Sequence, residues 1–357
     1  MKNHKLLLII LVTAFFSSCN EEGTTETPAS PGAILDVPVG GPNQPNQVFI
    51  NFSTDQQTSV NKSNWDLGFY TGSEDKVILN AASEVMAREI LKTDFAEIKP
   101  EDYEGFSDQT TVDAIFSNLF GAPPYPDWFL ESSQWIDEPN GDLSGTAIKL
   151  STGYIYYINR GFTPEKTSRG EYLVKVTVSG NSYILEFTQP GSLNIESVTI
   201  PKSDSHNFVY FNFDGGVTSI APAKDLWDIA FTTYMEKLDI GGGIKIPYRF
   251  QDYVVQNRNG VRVASVEVGE SENLLETYQS LDANEINALS FHTELNSIGS
   301  NWRTVASPTP GSITGVKEDR FYVIEDTKGN YYKLLFTQML NNSGERGYPQ
   351  IIYELVK

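Results

Sequence analysis

Asp225-Leu226-Trp227-Asp228-Ile229-Ala230-Phe231 has a counterpart in Asn64-Trp65-Asp66-Leu67-Gly68-Phe69, and this repetition constrains the fold more than any other feature of the chain. In both copies Trp, an aliphatic residue and Phe alternate with Asp and a small residue. At a strand's period of two, Trp65, Leu67 and Phe69 share one face, as do Trp227, Ile229 and Phe231. Each motif therefore predicts a strand with one buried face. An aromatic stretch precedes each, Val48-Phe49-Ile50-Asn51-Phe52 in one copy and Phe208-Val209-Tyr210-Phe211-Asn212-Phe213 in the other. Phe52 to Trp65 spans 13 residues and Phe213 to Trp227 spans 14. A repeat of about 150 residues can bury its own core, so this is a duplicated domain and not a solenoid unit.

The 357 residues suffice for two such domains, and 18 Tyr and 20 Phe beside 28 Gly mark a mainly β chain. A formal charge of −20 argues against nucleic acid and anionic lipid as partners, since both would be repelled over the whole surface. With one cysteine there is no disulfide framework and no cysteine-based redox or zinc chemistry.

Lys2 and Lys5 precede an apolar run over residues 6–12, and Ser17-Ser18 stand immediately before Cys19, the layout of a secretory signal peptide over residues 1–18. The run is too short for a transmembrane helix. A small-residue pair before a lone Cys resembles the lipobox of bacterial lipoproteins, which makes Cys19 the expected lipid anchor. Asn20-Glu21-Glu22 resembles the surface-export signal of some Gram-negative lipoproteins. Residues 19–46, with Pro28, Pro31, Pro38, Pro42 and Pro45, are expected to form a flexible tether.

Domain one is expected over residues 47–200 and domain two over 205–357, joined by a short link at Pro201-Lys202-Ser203-Asp204. Domain one carries a helical insertion in which Val112, Ile115, Phe116 and Leu119 fall at i, i+3, i+4 and i+7, with Thr110 or Thr111 as N-cap and Gly121 at the C-terminal cap. Strands are expected over 76–80, 154–158, 172–178 and 183–187, the last two joined at Ser179-Gly180-Asn181. In domain two Gly241-Gly242-Gly243 predicts a turn, and Asn259-Gly260 predicts a hairpin between residues 253–255 and 261–264. Short helices are expected over 271–278 and from Asp282, where Glu285 has capping-box spacing. The C-terminal strands are 321–324, 331–336 and 351–353.

The lipobox, the aromatic strand, the Trp-Asp strand at residues 227–231, and the series at 321–324, 329–334, Phe336-Thr337 and 344–348 together resemble the HmuY-type lipoproteins. The resemblance covers domain two from end to end and domain one more loosely, as in a tandem duplicate. It implies a mainly β fold with short helical insertions. It also implies an outer-membrane lipoprotein facing the cell surface that captures haem and passes it to a TonB-dependent receptor. The haem ligands of the family do not carry over: the late Trp is Trp302, and Arg303-Thr304-Val305-Ala306-Ser307-Pro308 after it holds no His or Met. Some members use methionine, which keeps Met86, Met235 and Met339 in view.

Axial ligation needs a His, Met, Cys or Tyr donor aimed into an apolar slot. Two histidines remain after signal cleavage. His206 adjoins the link and reads as a solvated loop residue. His292 is the leading haem-ligand candidate and Met235 the second, against a plain loop residue and a core Met respectively. Trp128, Phe129 and Trp135 suit either an aromatic wall for a flat ligand or packing of the insertion. Signatures of catalysis are missing: there is no Gly-x-Ser-x-Gly elbow, no His-Glu-x-x-His and no phosphate-binding glycine loop. In Asp137-Glu138-Pro139-Asn140-Gly141-Asp142, Pro139 and Gly141 break the alternating oxygens of a calcium loop, so a turn is expected and no metal site. The sequence thus reads as a surface-tethered, non-enzymatic binding lipoprotein, with haem or a related ligand as its cargo. The alternative is a haem-free binding or adaptor lipoprotein.

Overall fold

The computed structural model describes residues 28–306 and 313–356, so Cys19 and the expected signal peptide lie outside the described residues. Four antiparallel sheets form two sandwiches. The outer sheet of the first has the strand order Glu196–Pro201, Ser182–Thr188, Glu171–Ser179, Ile155–Asn159, Met86–Ile90. The outer sheet of the second runs Gly32–Asp36, Arg346–Leu355, Tyr331–Leu340, Arg320–Glu325, Arg262–Glu267. The two inner sheets have four strands each and pack on one another.

Those inner sheets exchange strands between the halves of the sequence. Asn46–Asn51 and Gln56–Asn61, the opening hairpin of the first half, pair with Ile229–Asp239, which follows Trp227. Reciprocally, Phe208–Asn212 and Gly216–Thr218 pair with Leu67–Tyr70, which follows Trp65. Lys245–Gln256 and Val77–Leu79 close the two inner sheets. The sequence repeats thus meet near residue 204, whereas each packed sandwich contains the opening hairpin of the other repeat.

The central inner strands Asn46–Asn51 and Leu67–Tyr70 are buried on both faces, which is why Val48-Phe49-Ile50 and Leu67-Gly68-Phe69 read as unbroken apolar runs, whereas the edge strands Gln56–Asn61 and Gly216–Thr218 are polar or partly exposed. Val48, Ile50, Ile229 and Phe231 face the second outer sheet, in a core with Trp302, Tyr322 and Tyr353. Leu67, Phe69, Phe211 and Phe213 face the first outer sheet, with Ile158, Val174 and Leu185. The opposite faces carry Phe49, Ala230, Val255 and Tyr210, which meet in a central layer between the inner sheets. Trp65 and Trp227 belong to this central layer, which corrects the expectation that they share a face with Leu67 and Phe69 or Ile229 and Phe231. Each Trp stands before its strand begins, where the alternation of the strand does not yet apply.

Two further expectations are corrected. Residues 28–46 are not a free tether throughout: Gly32–Asp36 is an edge strand in register with Arg346–Leu355, and Val37 and Val39 are buried in the second core. Asn259-Gly260 does not close a hairpin, because Lys245–Gln256 lies in the inner sheet and Arg262–Glu267 in the outer one, so the turn carries the chain between layers.

The local helix signals hold. Val112–Leu119 is a helix whose N-cap Thr111 accepts the Ala114 N–H, although its C-cap is Phe120 and not Gly121. Leu274–Ser280 and Ala283–Ile286 cover the second outer sheet, the latter with the Asp282 and Glu285 capping box. The first-half insertion packs Ile115, Phe129 and Trp135 against Met86, Met235 and Ile246, tying that insertion to the long hairpin of the second half.

Candidate functional site

A cavity of about 100 Å³ lies in the central layer between the two inner sheets. The exchange of hairpins builds its walls as related pairs. Trp227 meets the ring of Phe49 edge-on at 5.1 Å, and Trp65 meets Tyr210 in the same way at 4.9 Å. Phe49 and Tyr210 occupy matching places in the two opening hairpins, so each Trp is held by the hairpin of the other repeat. Gly68 and Ala230, on the same faces, keep the space between the sheets open; a Cβ at Gly68 would sit 2.8 Å from Ile78 Cγ1.

The polar lining comes from two loops. One is residues 137–146, whose Asn140 carbonyl accepts the Leu295 N–H at 2.8 Å. Asp137 is half-buried there and accepts the Leu79 and Ala147 amides at 2.7 and 2.8 Å; the desolvation of its carboxyl nevertheless pushes it up to about 6. Glu138 is paired with Lys237 at 2.5 Å, and Asp142 accepts the amide and hydroxyl of Ser144, each at 2.8 Å. The three carboxylates of the lining are therefore already engaged.

The donors are not. Arg258, from the turn after Lys245–Gln256, lies with its guanidinium carbon 5.8 Å from the Phe208 ring centre and has no hydrogen bond or ion pair among the described residues. Burial lowers its pKa from the ordinary arginine value. Trp227 is 7% exposed and its indole N–H has no acceptor, whereas the N–H of Trp65 donates to Gln47 Oε1 at 3.0 Å. The phenols of Tyr210 and Tyr234 also line the cavity, both held neutral by burial and both within electrostatic reach of Arg258.

The residues singled out in the sequence lie elsewhere. Met235 is 2% exposed, packed with Met86 and Trp135 beneath the insertion, and Met339 is buried in the second core. His206 holds Nδ1 2.9 Å from Ser205 Oγ beside the link. The side chain of His292 is 59% exposed, 3.7 Å from Glu294, in a shallow surface hollow with Ser265, Ser290 and Ser297. His292 and Met235 share neither a cavity nor an apolar cluster among the described residues. An axial ligand pair for a haem iron needs two donors facing one apolar slot, and these residues do not fit it. Trp128 and Trp135 stack at 6.5 Å within the packed insertion. No cluster of three or more His, Cys, Asp or Glu residues suited to a metal occurs among the described residues, and no helix of theirs is long and apolar enough to cross a membrane. Arg258 had no sequence signal beyond a turn, and Asp137 sits in the acidic stretch read as one.

The family model described as HmuY protein matches residues 43–203 and again residues 204–353. No curated protein sequence matches the chain. Among solved structures, the apo HmuY analogue of Tannerella forsythia shares 8% identity over 91% of this chain and 96% of its own, with a TM-score of 0.24. A candidate lipoprotein of Bacteroides fragilis shares 16% identity over 52% of this chain and 90% of its own, with a TM-score of 0.23. Apo PinO of Porphyromonas gingivitis shares 16% identity over 54% of this chain and 99% of its own, with a TM-score of 0.19.

Proposed function

The chain belongs to the HmuY family, which it matches twice in tandem, and from that premise we propose that it is a non-catalytic binding lipoprotein whose ligand enters the cavity between its inner sheets. In this reading Cys19 anchors it to the outer membrane, the domains face the cell surface, and a TonB-dependent receptor takes the cargo. The carrying observation is the junction cavity, walled by both halves and furnished with unengaged donors. Ligand sites concentrate at such domain interfaces, where few polar groups stand in an apolar wall.

The haem-free form of the reading has the better support. A cavity of about 100 Å³ has the liquid volume of about three waters, far less than a porphyrin, and the His and Met donors are dispersed. Titration of the purified protein with haemin is the test. No Soret band is expected at micromolar protein. A saturable band abolished by His292→Ala would instead place haem capture at His292, outside the junction cavity.

A further inference from the structure

We infer that the junction cavity selects a small flat carboxylate, held by Arg258 through its charged end and by the aromatic walls through its body. This rests on the reading above that the cavity takes a ligand, and it specifies which chemistry is recognised. Every unengaged polar side chain identified in the lining can donate a hydrogen bond: the guanidinium of Arg258, the indole N–H of Trp227 and the phenols of Tyr210 and Tyr234. A guanidinium and an indole N–H have no acceptor capacity at all. The carboxylates of the lining are already engaged, Asp137 by two backbone amides, Glu138 by Lys237 and Asp142 by Ser144, and Asp137 and Asp142 also lie within electrostatic reach of Arg258 without hydrogen-bonding it. The guanidinium of Arg258 and the indole N–H of Trp227 are thus left without acceptors, and a carboxylate supplies two in the fork geometry that a guanidinium matches.

A cationic guest is disfavoured by the same inventory. Aromatic walls can hold a cation, but here Arg258 already lies over Phe208. A second positive charge would meet that guanidinium in a desolvated space. The walls also set the shape: Trp65, Trp227, Phe49 and Tyr210 present ring faces and edges from two opposed sheets, which suits a planar body. The volume sets the size. About 100 Å³ is the liquid volume of about three waters and less than the ~150 Å³ that holds benzene, so the guest is no larger than benzoate and leaves part of its ring in the mouth of the cavity.

Benzoate, its neutral analogue benzamide and the cation benzylamine are the probes, read by quenching of tryptophan fluorescence and by calorimetry on the full chain. Benzoate is expected to bind saturably and benzamide roughly tenfold or more weaker, the ordinary value of a charge-assisted hydrogen bond. Arg258→Met should weaken benzoate by a similar factor and benzamide much less, with Arg258→Lys in between. The benzoate-to-benzamide ratio on the wild-type chain decides the matter even if a variant fails to fold. Equal binding of benzoate and benzamide, or tighter binding of benzylamine, overturns the carboxylate assignment while leaving the cavity as a binding site. Failure of all three probes to bind overturns both the assignment and the cavity reading beneath it.

Discussion

Asp66 and Asp228 follow the two motif tryptophans, occupy the same place in the two sandwiches, and have opposite surroundings. The shared frame is close. Asp66 N–H donates to the Phe211 carbonyl at 2.8 Å and Asp228 N–H to the Ile50 carbonyl at 2.7 Å. Oδ2 of each in turn accepts the amide two residues further along the exchanged hairpin, Phe213 at 2.9 Å and Phe52 at 2.7 Å. Asn80 bridges the Lys62 and Trp65 carbonyls, as Asn257 bridges those of Lys224 and Trp227. The difference lies in the residue after the neighbouring outer strand. After Ile155–Asn159 it is Arg160, which with Arg169 pairs with Asp66 at 3.1 and 2.7 Å. After Arg320–Glu325 it is Asp326, which is buried and engaged by its own turn through Lys328 and Asn330. Duplication preserved the hydrogen-bond frame of the motif, and the charge placed opposite it diverged.

The comparison breaks most visibly when each carboxylate is removed. Asp66→Ala leaves the buried guanidinium of Arg169 without a carboxylate and that of Arg160 with the exposed Asp214 alone, and should cost about 3–5 kcal/mol, as does stripping one partner from a buried ion pair. Asp228→Ala loses the bond to the Phe52 amide but also relieves a like-charge contact, and about 1–3 kcal/mol is expected. Urea unfolding of both variants at pH 7 measures the two losses. An Asp66→Ala loss no larger than that of Asp228→Ala would show that the arginines contribute nothing beyond the shared frame.

A pH series sharpens the same contrast. Burial, reinforced by Asp326, pushes the Asp228 carboxyl up to about 7. A folded-state pKa raised above the unfolded value means that the folded protein holds the proton more tightly. The stabilisation is then complete below the ordinary carboxylate range and is lost as pH rises through about 7. The wild-type protein should accordingly lose stability between about pH 4 and pH 7, at up to about 1.4 kcal/mol per pH unit from this group. Asp228→Asn, which keeps an acceptor for the Phe52 amide, should remove that part. It leaves the contribution of Asp137, which has the same sign and ends near pH 6. Unfolding curves that superimpose for the variant and the wild type over this range would rule out Asp228 as the titrating group.

How much of this was legible depends on the range of the interaction. Local signals carried through: the Thr111 cap, the Asp282 and Glu285 box and the Ser179-Gly180-Asn181 turn follow from a few neighbouring residues. The duplication and the mainly β architecture were equally readable, since a two-residue period and a repeated motif survive without coordinates. The hairpin exchange was not readable, because Val48-Phe49-Ile50 and Val209-Tyr210-Phe211 are near equivalents and nothing in their composition says which Trp strand each should join. Asn259-Gly260 misled for a related reason: it specifies a tight turn but not whether the next strand stays in the same sheet. The edge strand at residues 32–36 was hidden by its short length and by the prolines on either side of it, Pro31 and Pro38. At the site, Arg258 stands out only through the absence of a partner, which no sequence displays.

The smallest expected effect separates the two tryptophans themselves. Both lie in the central layer with nearly equal burial, 6% exposed for Trp65 and 7% for Trp227, and both make an edge contact with an aromatic of the exchanged hairpin. They differ at one atom. The indole N–H of Trp65 donates to Gln47 Oε1 at 3.0 Å, and that of Trp227 donates to nothing. Replacement by Phe removes comparable apolar area from each, so the difference between the two variants isolates the hydrogen bond. Trp65→Phe leaves the buried Gln47 carboxamide oxygen without its donor and should cost about 1–3 kcal/mol more than Trp227→Phe. Trp227→Phe itself relieves an orphaned buried donor, which offsets part of its packing loss. If the junction cavity is a binding site, the order reverses for benzoate affinity: Trp227→Phe, which removes a donor and part of the wall, weakens it more than Trp65→Phe, which alters the wall alone. Equal stability losses in both variants would show that the Trp227 N–H finds an acceptor in solution, and the case for an unengaged donor in that wall would fail with it.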